Sequence, residues 1–166
     1  INAFVLPEYT IFRDIDLVYS ILLGIVGAGL GIFFITLYKK MRSVFEPYED
    51  RPVLLGLAGG IGLGIAGMLL PLSLFMGSEQ LQFLINHYMV VSVFLLLALV
   101  VVKILLITFA FSTGFAGGYI FPSFFIGGTV GILIYRLFPA IPLAVCIVCV
   151  IAAVSVTLLR LSLIHI

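Results

Sequence analysis

Long uncharged stretches, separated by short segments rich in charge or proline, divide this chain into its elements. The first runs from Leu17 to Tyr38 and is closed by Lys39, Lys40 and Arg42. The connector Ser43-Val-Phe-Glu-Pro-Tyr-Glu-Asp-Arg-Pro52 follows, and its two prolines and turn-type residues argue against a helix through it. A second apolar span, Val53 to Leu70, is closed by Pro71. Gly77-Ser-Glu-Gln80 opens a segment to about His87, too brief to cross an apolar core of about 30 Å. Met89 to Phe111, Pro122 to Phe138 and Leu143 to Leu159 are three further helices, the last two parted by Pro139-Ala-Ile-Pro142. The pattern predicts five long helices and one short one.

One stretch conflicts with this scheme. Ile104 to Tyr135 carries no charge, a length that belongs in a membrane, yet Ser112-Thr-Gly-Phe-Ala-Gly-Gly-Tyr-Ile-Phe-Pro122 sits in its middle. Glycines and a proline there argue against one continuous helix. Irregular backbone at bilayer depth is tolerated only where protein buries it or where it lines a cavity. A helix starting inside the membrane directs unpaired N–H groups and its positive dipole end at that cavity, which is the physics of an anion site.

Composition strengthens the membrane reading. Hydrophobic residues make up 64% of the chain and charged residues 9%, with a mean hydropathy of +1.40. A soluble domain is about 45–50% apolar and about 25% charged. The first apolar run follows Glu8, Arg13, Asp14 and Asp16 and is too long for a signal-peptide core, so no cleavable signal is expected. A net charge of +1 gives no reason to expect a nucleic-acid partner. Lys39, Lys40, Arg42 and Arg51 flank the first connector, which places residues 39–52 on the cytoplasmic side by the positive-inside rule.

Small residues and polar groups narrow the chemistry. Gly24, Gly27, Gly29 and Gly31 line the first helix, Gly56, Gly59, Gly60, Gly62, Gly64 and Gly67 the second, and Gly127 and Gly131 a later one. Such patterns let helix backbones approach closely in lipid, and packing rather than hinging is the expected role. Cys146 and Cys149 have CxxC spacing, but with no polar surroundings and no second ligand pair they read as small hydrophobes. No Asp or Glu follows Glu79, and His87 and His165 are isolated. Acid–base, metal and nucleophilic catalysis therefore have almost nothing to be built from, and neither an enzyme nor a cofactor or metal is expected. The same absence implies that the broken element faces no fixed negative charge from this half of the chain, which suits an anion rather than a cation.

The segment Lys103-Ile-Leu-Leu-Ile-Thr-Phe-Ala-Phe-Ser-Thr-Gly-Phe-Ala-Gly-Gly-Tyr-Ile-Phe-Pro-Ser-Phe-Phe-Ile-Gly-Gly-Thr-Val-Gly131 resembles a signature of the CLC family of chloride channels and chloride/proton antiporters. The likeness lies in the basic residue, the Ser-Thr-Gly break, the paired glycines and the proline opening a glycine-spaced helix. The opening Phe4-Val-Leu-Pro-Glu-Tyr9 and the glycine-rich first two helices resemble the start of that family's second inverted repeat. The resemblance implies an all-α polytopic membrane protein with broken, re-entrant helices, corresponding to helices J through O. Residues 1–160 would be that partial repeat. Arg160-Leu-Ser-Leu-Ile-His-Ile166 departs from the family's Arg-x-Pro-Leu-Thr-like continuation, which sets 161–166 apart as a truncated end or a non-native tail.

The family's anion pathway is formed where helix amino ends meet near the bilayer midplane. By resemblance, the backbone amides of Tyr119, Ile120 and Phe121 would bind the anion. Ser112, Thr113, Gly114, Gly117, Gly118 and Pro122 would support the filter turn, and Lys103 would be a structural charge. Gly117 and Gly118 are expected to allow close approach or positive φ, and Pro122 to sit harmlessly in the first turn. One departure stands out: the usual Gly-x-Phe-x-Pro is here Gly118-Tyr-Ile-Phe-Pro122. The family's other filter segments, including the gating glutamate in Gly-x-Glu-Gly-Pro, have no counterpart in this sequence. The implied function is transport of chloride or a similar small anion across a bacterial-type plasma membrane. Its partners are the lipid bilayer, the missing remainder of the transporter and a second copy in a homodimer. Two alternatives stand beside it: another broken-helix carrier, moving organic anions, and a fragment without transport activity of its own.

Overall fold

In a computed structural model, residues 5–7, 9, 13–69, 71 and 77–164 are described, with side chains up to Leu159. The order is α1 (Asp14–Phe45), a single 3-10 turn (Glu46–Tyr48), α2 (Pro52–Leu69), α3 (Ser78–Asn86), α4 (Val93–Ser112), α5 (Ile120–Leu137) and α6 (Leu143–Ile164). Five long helices and one of nine residues match the expectation from the charge pattern. Phe4, Glu8, Leu70 and His165 lie outside the described residues, as does the end of the 161–166 tail, although α6 continues through Ile164.

The ends of the elements differ from the sequence reading for local reasons. Helix α1 runs past its basic cluster into the expected connector as far as Phe45, because Pro47 falls in the next turn, where it needs no amide donor. Arg42 and Glu49, 3.7 Å apart, then bridge the helix end to the connector. Pro52 opens α2. Helix α4 begins at Val93 rather than Met89, because the Ser92 hydroxyl accepts the Leu95 amide at 3.1 Å and fixes the cap there.

Helix α6 sits between α5 on one side and α1 on the other, and both contacts are made by glycine. A Cβ at Gly127 would lie 2.6 Å from Ile151 Cα, and one at Gly131 2.6 Å from Ile147 Cα. On α1, a Cβ at Gly27 would meet Ala153, and one at Gly31 would meet Thr157. Packing is thus the role of these glycines. Gly24, Gly29, Gly56, Gly60 and Gly64 instead face open space. Around the seam a core forms from Leu23, Phe34, Val100, Ile104, Ile126, Val130, Cys146, Val150, Val154 and Leu158. Cys146 is fully buried within it and both cysteines are free, which fits small hydrophobes. A second cluster joins α3 to α4 and α5 through Leu81, Leu84, Leu96, Leu99, Phe125 and Ile132.

The outward faces are as apolar as the core. Ile21, Leu22, Ile25 and Ile32 on α1, and Val53, Leu57, Ile61, Ile65 and Met68 on α2, are all exposed. Helices α1, α2, α4 and α5 are each long and apolar enough to cross a membrane. An apolar surface of this extent is matched by lipid or by other membrane helices, and the chain is that of an integral membrane protein.

A polar knot fastens the start of α1. Asp16 is buried, accepts the Tyr9 hydroxyl at 2.7 Å and pairs with Arg13 at 2.9 Å. Arg13 also donates to the Ala140 carbonyl between α5 and α6, tying the two ends together. The hydrogen bonds to Asp16 hold the Arg13 guanidinium and the Tyr9 phenol above their usual values.

Two stability outcomes follow from these contacts. Gly131→Ala should destabilise the protein by about 1–3 kcal/mol, because the new methyl meets α6 backbone that cannot swing aside. Gly62→Ala, whose methyl meets only the Phe109 ring, should lose less. Thermal melts of the purified full-length protein check the order. Asp16→Ala should cost about 1–3 kcal/mol in the same melts, since it strips the hydrogen bonds from Tyr9 and Arg13.

Candidate functional site

The break between α4 and α5 is a built turn. Helix α4 ends in a Schellman motif: the Phe115 amide donates to Ala110 O at 3.0 Å and the Gly114 amide to Phe111 O at 3.3 Å. Gly114 takes the left-handed conformation this requires, with φ of +88°. Close approach or positive φ was expected at Gly117 and Gly118; neither adopts positive φ, but a Cβ at Gly117 would lie 2.9 Å from the Phe111 ring. The helix stop, not the helix start, needs the left-handed residue. Ser112 donates its hydroxyl to Thr108 O at 2.7 Å, and Thr113 donates back to Phe109 O and Ala110 O. Both hydroxyl hydrogens are spent on α4 carbonyls.

Helix α5 then opens at Ile120, with Tyr119 as its cap residue. Pro122 has no N–H, and the Ser123 amide is satisfied by Tyr119 O at 3.0 Å. The amides of Ile120 and Phe121 are left at the helix start with no intrahelical acceptor. Pro122 sits in the first turn as expected.

The Tyr119 ring packs inward. It lies 4.5 Å from the Phe111 ring and 6.3 Å from Phe34, edge-on to the latter. Phe111 in turn meets Tyr38 edge-on. An aromatic cluster drawn from α1 and α4 therefore anchors the chain immediately before the free amides. Helix α2 closes over the turn with small residues, Gly59 lying against Phe115 and Thr113 and Gly62 against Phe109.

A cavity of about 790 Å³ opens beside this helix end. Of the residues expected at the site, Gly117, Gly118, Phe121, Pro122 and Lys103 line it. Ser112, Thr113, Gly114, Tyr119 and Ile120 are not on its wall; the first three shape the turn behind it and Tyr119 anchors it. Lys103, 2% exposed, approaches from α4 with its Nζ 5.0 Å from the centre of the Phe125 ring. A Cβ at Gly118 would meet nothing within 4 Å, so the backbone there faces open space.

The sequence reading missed the opposite wall. Gly77, Ser78, Glu79 and Gln80, the amino end of α3, line the same cavity. Gly77 caps α3 at φ of +88°, and a Cβ there would press on Phe125 of α5, so glycine is needed twice over. Two helix amino ends thus point toward one space. Glu79, which precedes the acid-free half of the chain, brings a carboxylate to the site: its exposed side chain shares the cavity. The sequence marks Gly77-Ser-Glu-Gln80 as a helix start, but only the fold of α3 onto α5 brings it to the site. No group of three or more His, Cys, Asp or Glu that could hold a metal occurs among the described residues.

Known proteins share this arrangement of sequence. A family model described as "Voltage gated chloride channel" matches residues 3–166. A protein of Escherichia coli named "Putative ion-transport protein YfeO" is 28% identical over 147 residues, covering 87% of this chain and 34% of the relative. Counterparts of the same name from a second Escherichia coli strain and from Escherichia fergusonii are 29% and 28% identical over the same shares. The chain therefore spans about a third of the length of these curated relatives. No solved structure matches significantly. A family match from one end of the sequence to the other, over a broken apolar hairpin whose helix start opens on a cavity, leaves one conclusion: the chain belongs to the voltage-gated chloride channel family.

Proposed function

We propose that the full-length protein moves chloride or a similar small anion across a membrane, and that the amino end of α5 supplies one arm of the pathway. The observation that carries this reading is the convergence of two helix starts, α3 and α5, on a cavity that Lys103 also lines. The amide of Phe121, the one of the three on the cavity wall, would hold the ion through partial charges, with the amides of Ile120 and Tyr119 behind it adding to the positive end of the helix. That favours binding a partly desolvated anion without trapping it. Glu79 opposes occupancy and Lys103 favours it. The basic residues Lys39, Lys40, Arg42 and Arg51 support a cytoplasmic connector by the positive-inside rule, and family resemblance implies a homodimer in a bacterial-type plasma membrane.

A second reading rests on the cavity's size, which falls in the range of small-molecule sites and would suit a small organic anion. Flux from liposomes holding chloride, nitrate or an organic acid separates the two, and a parallel pH-gradient measurement reports proton coupling.

Gly118→Val tests the site directly, because the added side chain has room to fold yet stands where the anion must approach. Anion flux should fall about ten- to a hundredfold, the loss expected for a charge-assisted hydrogen bond. Unchanged flux contradicts the amide site. Charge changes should act in opposite directions: Lys103→Gln should lower apparent anion affinity and Glu79→Gln should raise it. Both effects should shrink as salt rises.

A further inference from the structure

The contact between α5 and α6 is a ladder with one polar rung. Gly131 faces Ile147, and Gly127 faces Ile151. One step of four residues further, Ser123 faces Ser155, with their Oγ atoms 2.9 Å apart. The two apolar rungs set how close the helices lie. The third rung falls at the end where α5 begins, three residues after Ile120.

The bond does not stop at the pair. Ser123 is 1% exposed, and its hydroxyl donates to the Ile120 carbonyl at 2.6 Å. With its one hydrogen committed there, Ser123 Oγ accepts from Ser155. A chain of two hydrogen bonds therefore runs from α6 into the first peptide of α5. That carbonyl belongs to the planar Ile120–Phe121 peptide, so its orientation fixes that of the Phe121 amide, one of those left free at the helix start.

We infer that Ser155 is a positioning residue for the anion site: through Ser123 it sets the orientation of the first α5 peptides, and so the aim of their amides. It touches no anion itself. A bland alternative is that the pair merely adds packing energy between two membrane helices, as interhelical hydroxyl bonds often do. The two differ in outcome, because a packing role moves stability without moving affinity or selectivity among anions.

This inference rests on the amide-site reading, and one set of flux measurements tests both. The full-length protein, reconstituted in liposomes, is compared with Ser155→Ala, Ser155→Thr, Thr157→Ala and Gly118→Val for chloride and nitrate transport. Thr157→Ala is the control, since among the described residues its hydroxyl bonds within α6, to Ala153 O at 2.8 Å. Ser155→Ala should raise the chloride KM by about three- to fifteenfold and change the chloride-to-nitrate ratio, with the maximal rate less affected. Ser155→Thr, which keeps the hydroxyl, should restore both, and Thr157→Ala should leave both unchanged. Wild-type KM and selectivity in Ser155→Ala, alongside a severe loss in Gly118→Val, overturn the positioning role and leave the amide site standing. Equal shifts in Thr157→Ala and Ser155→Ala also overturn it. Unchanged flux in Gly118→Val overturns both.

Discussion

A backbone amide in an apolar surrounding must find an acceptor, and this constraint governs the structure. The chain satisfies it by staying helical along its long apolar spans. Between α4 and α5 it leaves helical geometry at residues 113–119, where α2, the aromatic cluster and a cavity border the turn. The carbonyl end of α4 is closed by its own Schellman bonds and by two hydroxyls. The amide end of α5 has no such closure, because Pro122 and Ser123 leave Ile120 and Phe121 facing outward from the helix. One side of the break is self-satisfied, and the other is where the proposed anion would bind.

Rigid packing behind the break makes that arrangement useful. Gly127 and Gly131 press α5 onto α6, Tyr119 is held by Phe34 and Phe111, and Gly77 lets α3 start against Phe125. Each contact fixes a different part of the helix start: its axis, its preceding residue and the facing wall. A fixed array of partial charges needs no reorganisation when an ion arrives, which is how a site without a dedicated charged ligand can select by geometry.

Much of this was legible in the sequence because the membrane simplifies the code. Charge and proline mark the helix ends, and uncharged length marks the spans, so the helix count follows from Lys39, Pro52, Pro71 and Pro139-Ala-Ile-Pro142. The break at Ser112–Pro122 stood out because glycine and proline are poor choices inside a buried helix. What could not be read was tertiary. Nothing local tells that Gly77-Ser-Glu-Gln80 returns to face Pro122, or that Glu79 shares the cavity. Positive φ, one of the two roles expected for Gly117 and Gly118, falls instead on Gly114, the residue after a Ser-Thr helix end and the better candidate by capping rules. The four-residue register that pairs Ser123 with Ser155 likewise needed both helices in place.

The account stands or falls on whether an anion sits at the start of α5. Anomalous diffraction from crystals of the full-length protein soaked in bromide reports this directly. A bromide peak within hydrogen-bonding distance of the Phe121 amide, in the cavity shared with Gly118 and Lys103, is the predicted result. A bromide peak elsewhere along the pathway, with that position empty at saturating halide, would contradict it.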